Sequence, residues 1–278
     1  GQPFTLQPWQ CFVLGSIFGW LGPDGFRRFR TAYIEVGKGN GKSPMSAAVG
    51  LYGLVADGEH AAEIYSAATT RDQAKVVFRD AENMVAGSPH LSKRVTRFVN
   101  NLIYRRRLSY FRAISSESRG LDGHRPHMAL LDEVHEHPDA TVVDKMRAGT
   151  KGRRQALQFE ITNSGYDRHS VCWNHHEQSR QILEGALEND SWFAYVAQLD
   201  DGDDWKHDES CWVKANPNLG VSVSEKYLRE QVKEAIQIPA KENIVARLNF
   251  CVWTVQSTRA IVMEEWHACR KEFSADDL

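Results

Sequence analysis

The stretch YIEVGKGNGKS, Tyr33 to Ser43, decides the reading of this chain. An apolar strand, a glycine-rich turn and Gly41-Lys42-Ser43 opening a helix describe a phosphate-binding loop, with backbone N–H groups of the turn and helix N-terminus directed at phosphate oxygens. Gly37, Lys38, Gly39, Asn40 and Gly41 form the cradle. Lys42 brings positive charge to the β- and γ-phosphates, and the Ser43 hydroxyl is a ligand for Mg²⁺. The turn departs from the usual spacing, which wants glycine where this chain has Val36. Gly37 and Gly39 supply flexibility instead, and Lys38 adds a second cation. The helix after the loop carries Ala47, Ala48, Leu51, Leu54 and Val55 at helical spacing and stops at Asp57-Gly58. The expected ligand is a nucleoside triphosphate.

Such a loop needs a second strand that ends in an acid. His127 to Glu133, HMALLDE, fits, because its continuous apolar run suits a parallel strand buried on both faces. Asp132 at the strand's end is placed to hold Mg²⁺ with Ser43, and Glu133 to orient or deprotonate the attacking water.

A chain of 278 residues with 42% hydrophobic content can bury a full α/β core and a small appended subdomain. No apolar run reaches membrane-spanning length, and no charged-then-apolar leader precedes Gly1, so the expectation is a soluble, unsecreted protein without membrane partners. The five cysteines are scattered without a C-x-x-C pair, which favours a reducing compartment over disulfides or structural zinc. The start at Gly1 and the abrupt end at Asp277-Leu278 read as a piece excised from a longer chain. A net charge of −2 requires any nucleic-acid contact to come from local patches.

Strand and helix patterns alternate from about Arg30 to Gln198. Glu63 to Ala67 reads as a strand, and Thr70 with Gln73 as a capping box before a helix with Ala74, Val77, Phe78, Ala81, Met84 and Val85 on its apolar face. Arg94 to Phe98, Leu102 to Arg105 and Leu108 to Ala113 read as short strands, Asp139 to Ala148 as a helix, and Leu157 to Thr162 as a strand ending in Thr162-Asn163-Ser164-Gly165. A helix from Asp167 to Glu188 and a strand from Trp192 to Leu199 follow. Beyond Asp200 an acidic, Trp-containing stretch gives way to helices at Glu225 to Ile236 and Lys241 to Phe250. The expected division is an ATPase core over residues 1–199 and a lid or linker subdomain over 200–278.

Taken in order, several elements resemble the large terminase subunits of tailed bacteriophages, ATPase motors that package genomes. They are Pro8-Trp9-Gln10, the loop Lys38 to Ser43, Arg119-Gly120 with Leu121-Asp122-Gly123, Leu131-Asp132-Glu133, and Thr162-Asn163-Ser164-Gly165. Ala215-Asn216-Pro217 with Leu219-Gly220, Trp253 and Trp266 complete the set. The resemblance covers essentially the whole chain. It implies a RecA-like α/β P-loop NTPase of the ASCE type, with a mainly parallel central sheet flanked by helices. The family usually continues into an RNase H-like nuclease domain, and this sequence stops where that domain is expected to begin, so endonuclease activity is expected only of the longer protein.

The resemblance also implies residue roles. Gln10 would read the adenine edge, its amide offering a donor and an acceptor. Lys38 would touch the γ-phosphate from the family's early basic position, without the bidentate fork of Arg. Arg119 would be the arginine finger reaching a neighbouring subunit's site, with Arg125 as competitor. Thr162 to Ser164 would sense the γ-phosphate and relay hydrolysis to a DNA-gripping element, Ser164 lying at the nucleotide. Implied cofactors are ATP and Mg²⁺. Implied partners are double-stranded DNA, a homo-oligomeric ring on the procapsid portal and the small terminase subunit, in the host cytoplasm. Alternatives are a helicase-like nucleic-acid translocase and a non-hydrolysing nucleotide-binding assembly module.

Other clusters carry less. His124, His127, His135 and His137 match no common zinc spacing. His175 and His176 are adjacent in a helix and so cannot share a face. Arg105-Arg106-Arg107 and Lys151-Gly152-Arg153-Arg154 are either phosphate contacts for DNA or solvated loops.

Overall fold

The computed structural model describes residues 4–115 and 123–255. Arg119, Trp266 and the rest of 256–278 lie outside them. In chain order the elements begin with α1 (Pro8–Gly19), β1 (Thr31–Glu35), α2 (Lys42–Val55), β2 (Glu63–Ala68), α3 (Arg71–Gly87), α4 (Pro89–Ser92), β3 (Thr96–Phe98), β4 (Asn101–Tyr104) and β5 (Ser109–Ser115). They continue with β6 (Pro126–Asp132), α5 (Thr141–Gly149), β7 (Leu157–Thr162), α6 (Val171–Leu183), β8 (Trp192–Val196), α7 (Trp212–Ala215), α8 (Glu225–Gln237) and α9 (Pro239–Phe250).

The strands form one sheet in the order β3-β4-β5-β2-β6-β7-β1-β8. All pairings from β5 to β8 are parallel, and only β3-β4 and β4-β5 are antiparallel. Strand β7 is inserted between β1, which feeds the phosphate loop, and β6, which ends in Asp132. That additional strand defines the ASCE arrangement expected from the sequence. Strands β1, β6 and β7 are buried along their whole length, as apolar runs covered on both faces must be. One face carries a core of Val13, Ile17, Met45, Leu54, Val77, Phe78 and Phe111, drawn from α1, α2, α3 and the sheet. The other is covered by Val142, Val143 and Met146 of α5 and by Val171 and Cys172 of α6. A separate cluster of Leu199, Trp205, Trp212, Leu228, Val232, Val245 and Phe250 gives the segment after the sheet its own small core.

Boundaries follow local chemistry. The Thr70 hydroxyl accepts from the Gln73 N–H and caps α3. Helix α6 begins at Val171, later than the sequence pattern suggests, because Ser170 caps the Trp173 N–H and Asp167 is engaged by the His169 N–H in the preceding turn. Helix α1 has no charged residue and is not marked by amphipathic periodicity. Asp57, beyond α2, is a buried anchor: Arg27 reaches it at 2.5 Å and His127 at 2.6 Å.

The histidines disperse accordingly. His127 goes to Asp57, and His124 Nδ1 lies 3.1 Å from the Tyr65 hydroxyl. His175 and His176 are both buried and take different carboxylates, Glu160 at 2.7 Å and Glu35 at 2.9 Å. Among the described residues no group of three His, Cys, Asp or Glu side chains could hold a metal ion. Arg153 of the second basic run binds inward, to Glu59 at 2.8 Å and the Ala61 carbonyl at 2.7 Å. Among the described residues no helix is long and apolar enough to cross a membrane.

Candidate functional site

The site lies at the carboxyl ends of β1, β7 and β6, where open parallel sheets bind ligands. Val36 is buried and its N–H donates to the Thr162 carbonyl at 3.2 Å, so the β1–β7 ladder continues one residue past the strand. This explains the missing glycine: the turn opens at Gly37. There a Cβ would stand 2.6 Å from Asn216 Oδ1, 2.9 Å from the Asn249 carbonyl and 3.1 Å from the Ala215 carbonyl. Gly37→Ala is therefore expected to displace backbone and lower stability by about 1–3 kcal/mol, read from urea unfolding midpoints. Gly39 and Gly41 have φ of 87° and 80°, the left-handed conformation that glycine tolerates.

The loop has two halves with different partners. The Gly37 N–H donates to the Ala215 carbonyl at 3.0 Å and the Lys38 N–H to the Leu248 carbonyl at 2.7 Å, so these amides tie the loop to the segment after the sheet. From Gly39 to Ser43 no main-chain N–H has an acceptor among the described residues. Five consecutive donors at the start of α2 form an anion nest. The Lys38 side chain is exposed beside it.

Lys42 is buried, its ammonium donating to the Val36 carbonyl at 2.8 Å, the Gly37 carbonyl at 3.3 Å and Asn163 Oδ1. Asn163 stands at the tip of β7. Ser164 does not reach the loop: its hydroxyl faces the carbonyls of Val252 at 3.1 Å and Arg247 at 3.3 Å. The polar group that meets Lys42 and the loop is that of Asn163. Gln10 Oε1 accepts from the Gln7 N–H at 3.0 Å in the cap of α1, and its Nε2 faces the Gly41 carbonyl at 3.5 Å.

Asn40 is buried and ties the loop to the turn at Asn216 and Asn218. Its Nδ2 donates to the Gly37 carbonyl at 2.8 Å and Asn216 Oδ1 at 2.9 Å, and its Oδ1 accepts from the Asn218 N–H at 2.9 Å. Asn218 in turn accepts from Trp9 Nε1 at 2.7 Å, and Ser222 donates to the Gly39 carbonyl at 2.7 Å. Helix α1, the loop and the 215–222 turn are one hydrogen-bonded body.

On the other side, Ser43 neighbours the Asp132 carboxylate and favours its charged form. Burial first, and the neighbouring Glu133 charge second, push the Asp132 carboxyl up to about 7, against the opposing pull of Lys42, the Glu133 N–H and Ser43. Two hard oxygen donors side by side suit a cation that completes its shell with water and phosphate, as Mg²⁺ does. Glu133 adopts φ 47° and ψ 57°, a left-handed conformation that costs about 1–2 kcal/mol for a residue with a Cβ. Its N–H donates to Asp132 Oδ1 at 3.0 Å. His135, one of the histidines that match no zinc spacing, is central: Nδ1 lies 3.1 Å from Thr162 Oγ1 and 3.3 Å from Glu133 Oε2, and Nε2 lies 3.1 Å from Glu136 Oε1. A buried carboxylate at the base of the loop, Glu35, is bound by the Tyr33 hydroxyl at 2.6 Å, His176 at 2.9 Å and Trp253 Nε1 at 3.1 Å. Arg125 is exposed at the far end of β6 from Asp132.

Fold and loop together define a RecA-like P-loop NTPase core. The family model "Terminase large subunit, ATPase domain" matches residues 8–181, and the chain belongs to the terminase large subunit family. A second model, "Terminase large subunit, endonuclease domain", matches residues 186–274. This corrects the expectation that the nuclease part begins only after the sequence stops: the match reaches back over β8, which the structure places in the ATPase sheet beside β1. The large terminase subunit of Enterobacteria phage HK97 is 26% identical over 276 residues, covering 97% of this chain and 52% of that protein. Protein YmfN of Escherichia coli strain K12 is 32% identical over 148 residues, covering 53% of this chain and 32% of that protein. The chain thus spans about half the length of the first relative that it matches end to end. The crystal structure of the HK97 large terminase superposes with a TM-score of 0.81 at 24% identity, over 91% of this chain and 52% of that one. The large terminase of a thermophilic bacteriophage in complex with ADP has a TM-score of 0.55 at 16% identity, covering 89% and 53%.

Proposed function

We propose that this chain is the ATP-hydrolysing motor portion of a terminase large subunit that drives double-stranded DNA into a procapsid. The observation that carries the reading is the run of five unpartnered amides from Gly39 to Ser43, with Lys42 inside it and the Ser43–Asp132 pair beside it. Donors so arranged are matched to the β- and γ-phosphates of a triphosphate, and a family relative is described as an ADP complex.

In this reading Lys42 exchanges its bond to Asn163 for phosphate oxygen, and the released Asn163 alters the turn it shares with Thr162 and Ser164. Lys38 reaches the terminal phosphate from the exposed side. Glu133 accepts the proton of the attacking water, with His135 setting its position. Mg²⁺, held by Ser43 and Asp132, would neutralise charge on the phosphates when bound. Arg119 acts in trans on a neighbour's site, which requires a ring; portal, small subunit and host cytoplasm follow from the packaging role. Residues 1–199 act as the ATPase core, and the segment from 200, which falls within the endonuclease-domain match over residues 186–274, as a lid on it.

The test is steady-state ATP hydrolysis against protein concentration, with Mg²⁺ and with EDTA. Turnover is expected to need Mg²⁺, to rise more than linearly with concentration and to collapse in Arg119→Ala. Rapid hydrolysis by a monomer, independent of concentration, would reject the ring. Tight ATP binding without turnover at any concentration would favour the assembly-module alternative.

A further inference from the structure

Arg247 is the cation that the site, as described so far, leaves without work. It sits near the end of α9 and is 7% exposed, yet its guanidinium has no hydrogen bond or ion pair among the described residues, and Nε is fully enclosed without an acceptor. Its Cζ lies 4.9 Å from the centre of the Tyr166 ring. The charged and titratable groups that face it are Glu136, which attracts it, and Tyr166. A desolvated guanidinium offers five donors and is costly to bury unless an anion meets it. Burial accordingly lowers its pKa from the ordinary value.

The backbone around Arg247 explains where such an anion would come from. The Leu248 carbonyl accepts from the Lys38 N–H at 2.7 Å, and the Asn249 carbonyl stands 2.9 Å from where a Cβ on Gly37 would lie. On the other side, the Arg247 carbonyl faces the Ser164 hydroxyl at 3.3 Å, one residue beyond the Asn163 that holds Lys42. The turn of α9 that carries Arg247 therefore spans the gap between the phosphate loop and the tip of β7. Glu136, the acid that attracts it, lies on the same short segment as Glu133.

We propose that Arg247 is a nucleotide-binding residue acting in cis, whose guanidinium contacts the terminal phosphate of a bound nucleoside triphosphate and so carries the C-terminal subdomain onto the loaded loop. This rests on the nucleotide reading above and adds a group to it. It differs from the trans-acting role of Arg119, because Arg247 belongs to the same chain as the loop that it caps. Its charge is of use only while a terminal phosphate is present, so the contact discriminates triphosphate from diphosphate.

The test compares binding of ATPγS and ADP, by calorimetry with Mg²⁺, for the unsubstituted protein, Arg247→Gln and Arg247→Lys. Arg247→Gln is expected to lose about tenfold or more in ATPγS affinity while ADP affinity is unchanged, and Arg247→Lys to recover part of the loss. An equal loss for both nucleotides, or none for either, would overturn the assignment, since a packing role on Tyr166 has no means of telling them apart. If Arg247→Gln does not fold, the ATPγS-to-ADP ratio of Arg247→Lys decides in the same way. An unsubstituted protein that binds neither nucleotide would remove the nucleotide reading itself, and this assignment with it.

Discussion

Glu133→Gln is expected to bind ATP as tightly as the unsubstituted protein and to hydrolyse it about 10²–10⁴-fold more slowly. Glutamine keeps the shape and both hydrogen-bonding positions but cannot accept a proton from water. The main-chain bond from the Glu133 N–H to Asp132 Oδ1 does not involve the substituted group, so the cation-binding corner is preserved. Removing the Glu133 charge also relieves one of the two influences that raise the Asp132 carboxyl, which leaves Asp132 a better ligand. Equilibrium binding of a fluorescent ATP analogue, measured beside single-turnover hydrolysis, separates the two effects. A variant that hydrolyses within about tenfold of the parent would deny Glu133 its role as base, because general-base catalysis contributes more than that. The left-handed backbone at Glu133 makes the prediction more specific. Strain of this kind persists only where the surroundings hold it, and here the Glu133 N–H is fixed on Asp132 Oδ1 and its carbonyl accepts from the Glu136 N–H at 2.8 Å.

Local physics made part of this site legible in the sequence. The glycines and Lys42-Ser43 after an apolar strand, and Asp132-Glu133 after another, announce themselves because strand, turn and helix signals lie within a few residues of the chemistry. The rest depends on contacts that periodicity does not record. Trp9 binds Asn218 across 209 positions of sequence, and Asn40 binds Asn216 across 176. Gly37 reads as a flexible loop residue, whereas its role is to admit the carbonyls of Ala215 and Asn249, a steric fact visible only once Asn216 and Asn249 are in place. The Thr162-Asn163-Ser164 run was readable as a unit, but which side chain faces the loop depends on the alternation of side chains past the end of β7, and it is Asn163. His135 and Arg247 carried no local signal, since a histidine in a loop and an arginine in a helix are ordinary until their partners are known.

Asp132→Asn is expected to stabilise the metal-free protein while abolishing its Mg²⁺-dependent turnover. In the folded chain burial and the Glu133 charge push the Asp132 carboxyl up to about 7 from its ordinary 3.8, so folding takes up a proton between these limits. Where the folded state binds more protons than the unfolded one, stability falls as pH rises. The favourable contribution is complete below pH 3.8 and is lost as pH passes through about 7. Shifting the midpoint from 3.8 to about 7 corresponds to about 4 kcal/mol at pH 8, the cost of keeping this carboxylate charged in its buried position. Asparagine removes that cost and retains an oxygen to accept from the Glu133 N–H. Urea unfolding in EDTA should therefore find the variant more stable by up to about 4 kcal/mol at pH 8, with the difference closing as pH falls toward 4. A difference that is flat with pH, or a variant less stable at pH 8, would show that Asp132 is held charged by the fold itself. The predicted outcome instead places a destabilising carboxylate beside Ser43 because the charge is needed when a cation arrives, a site maintained at the expense of stability for a function that the empty protein does not perform.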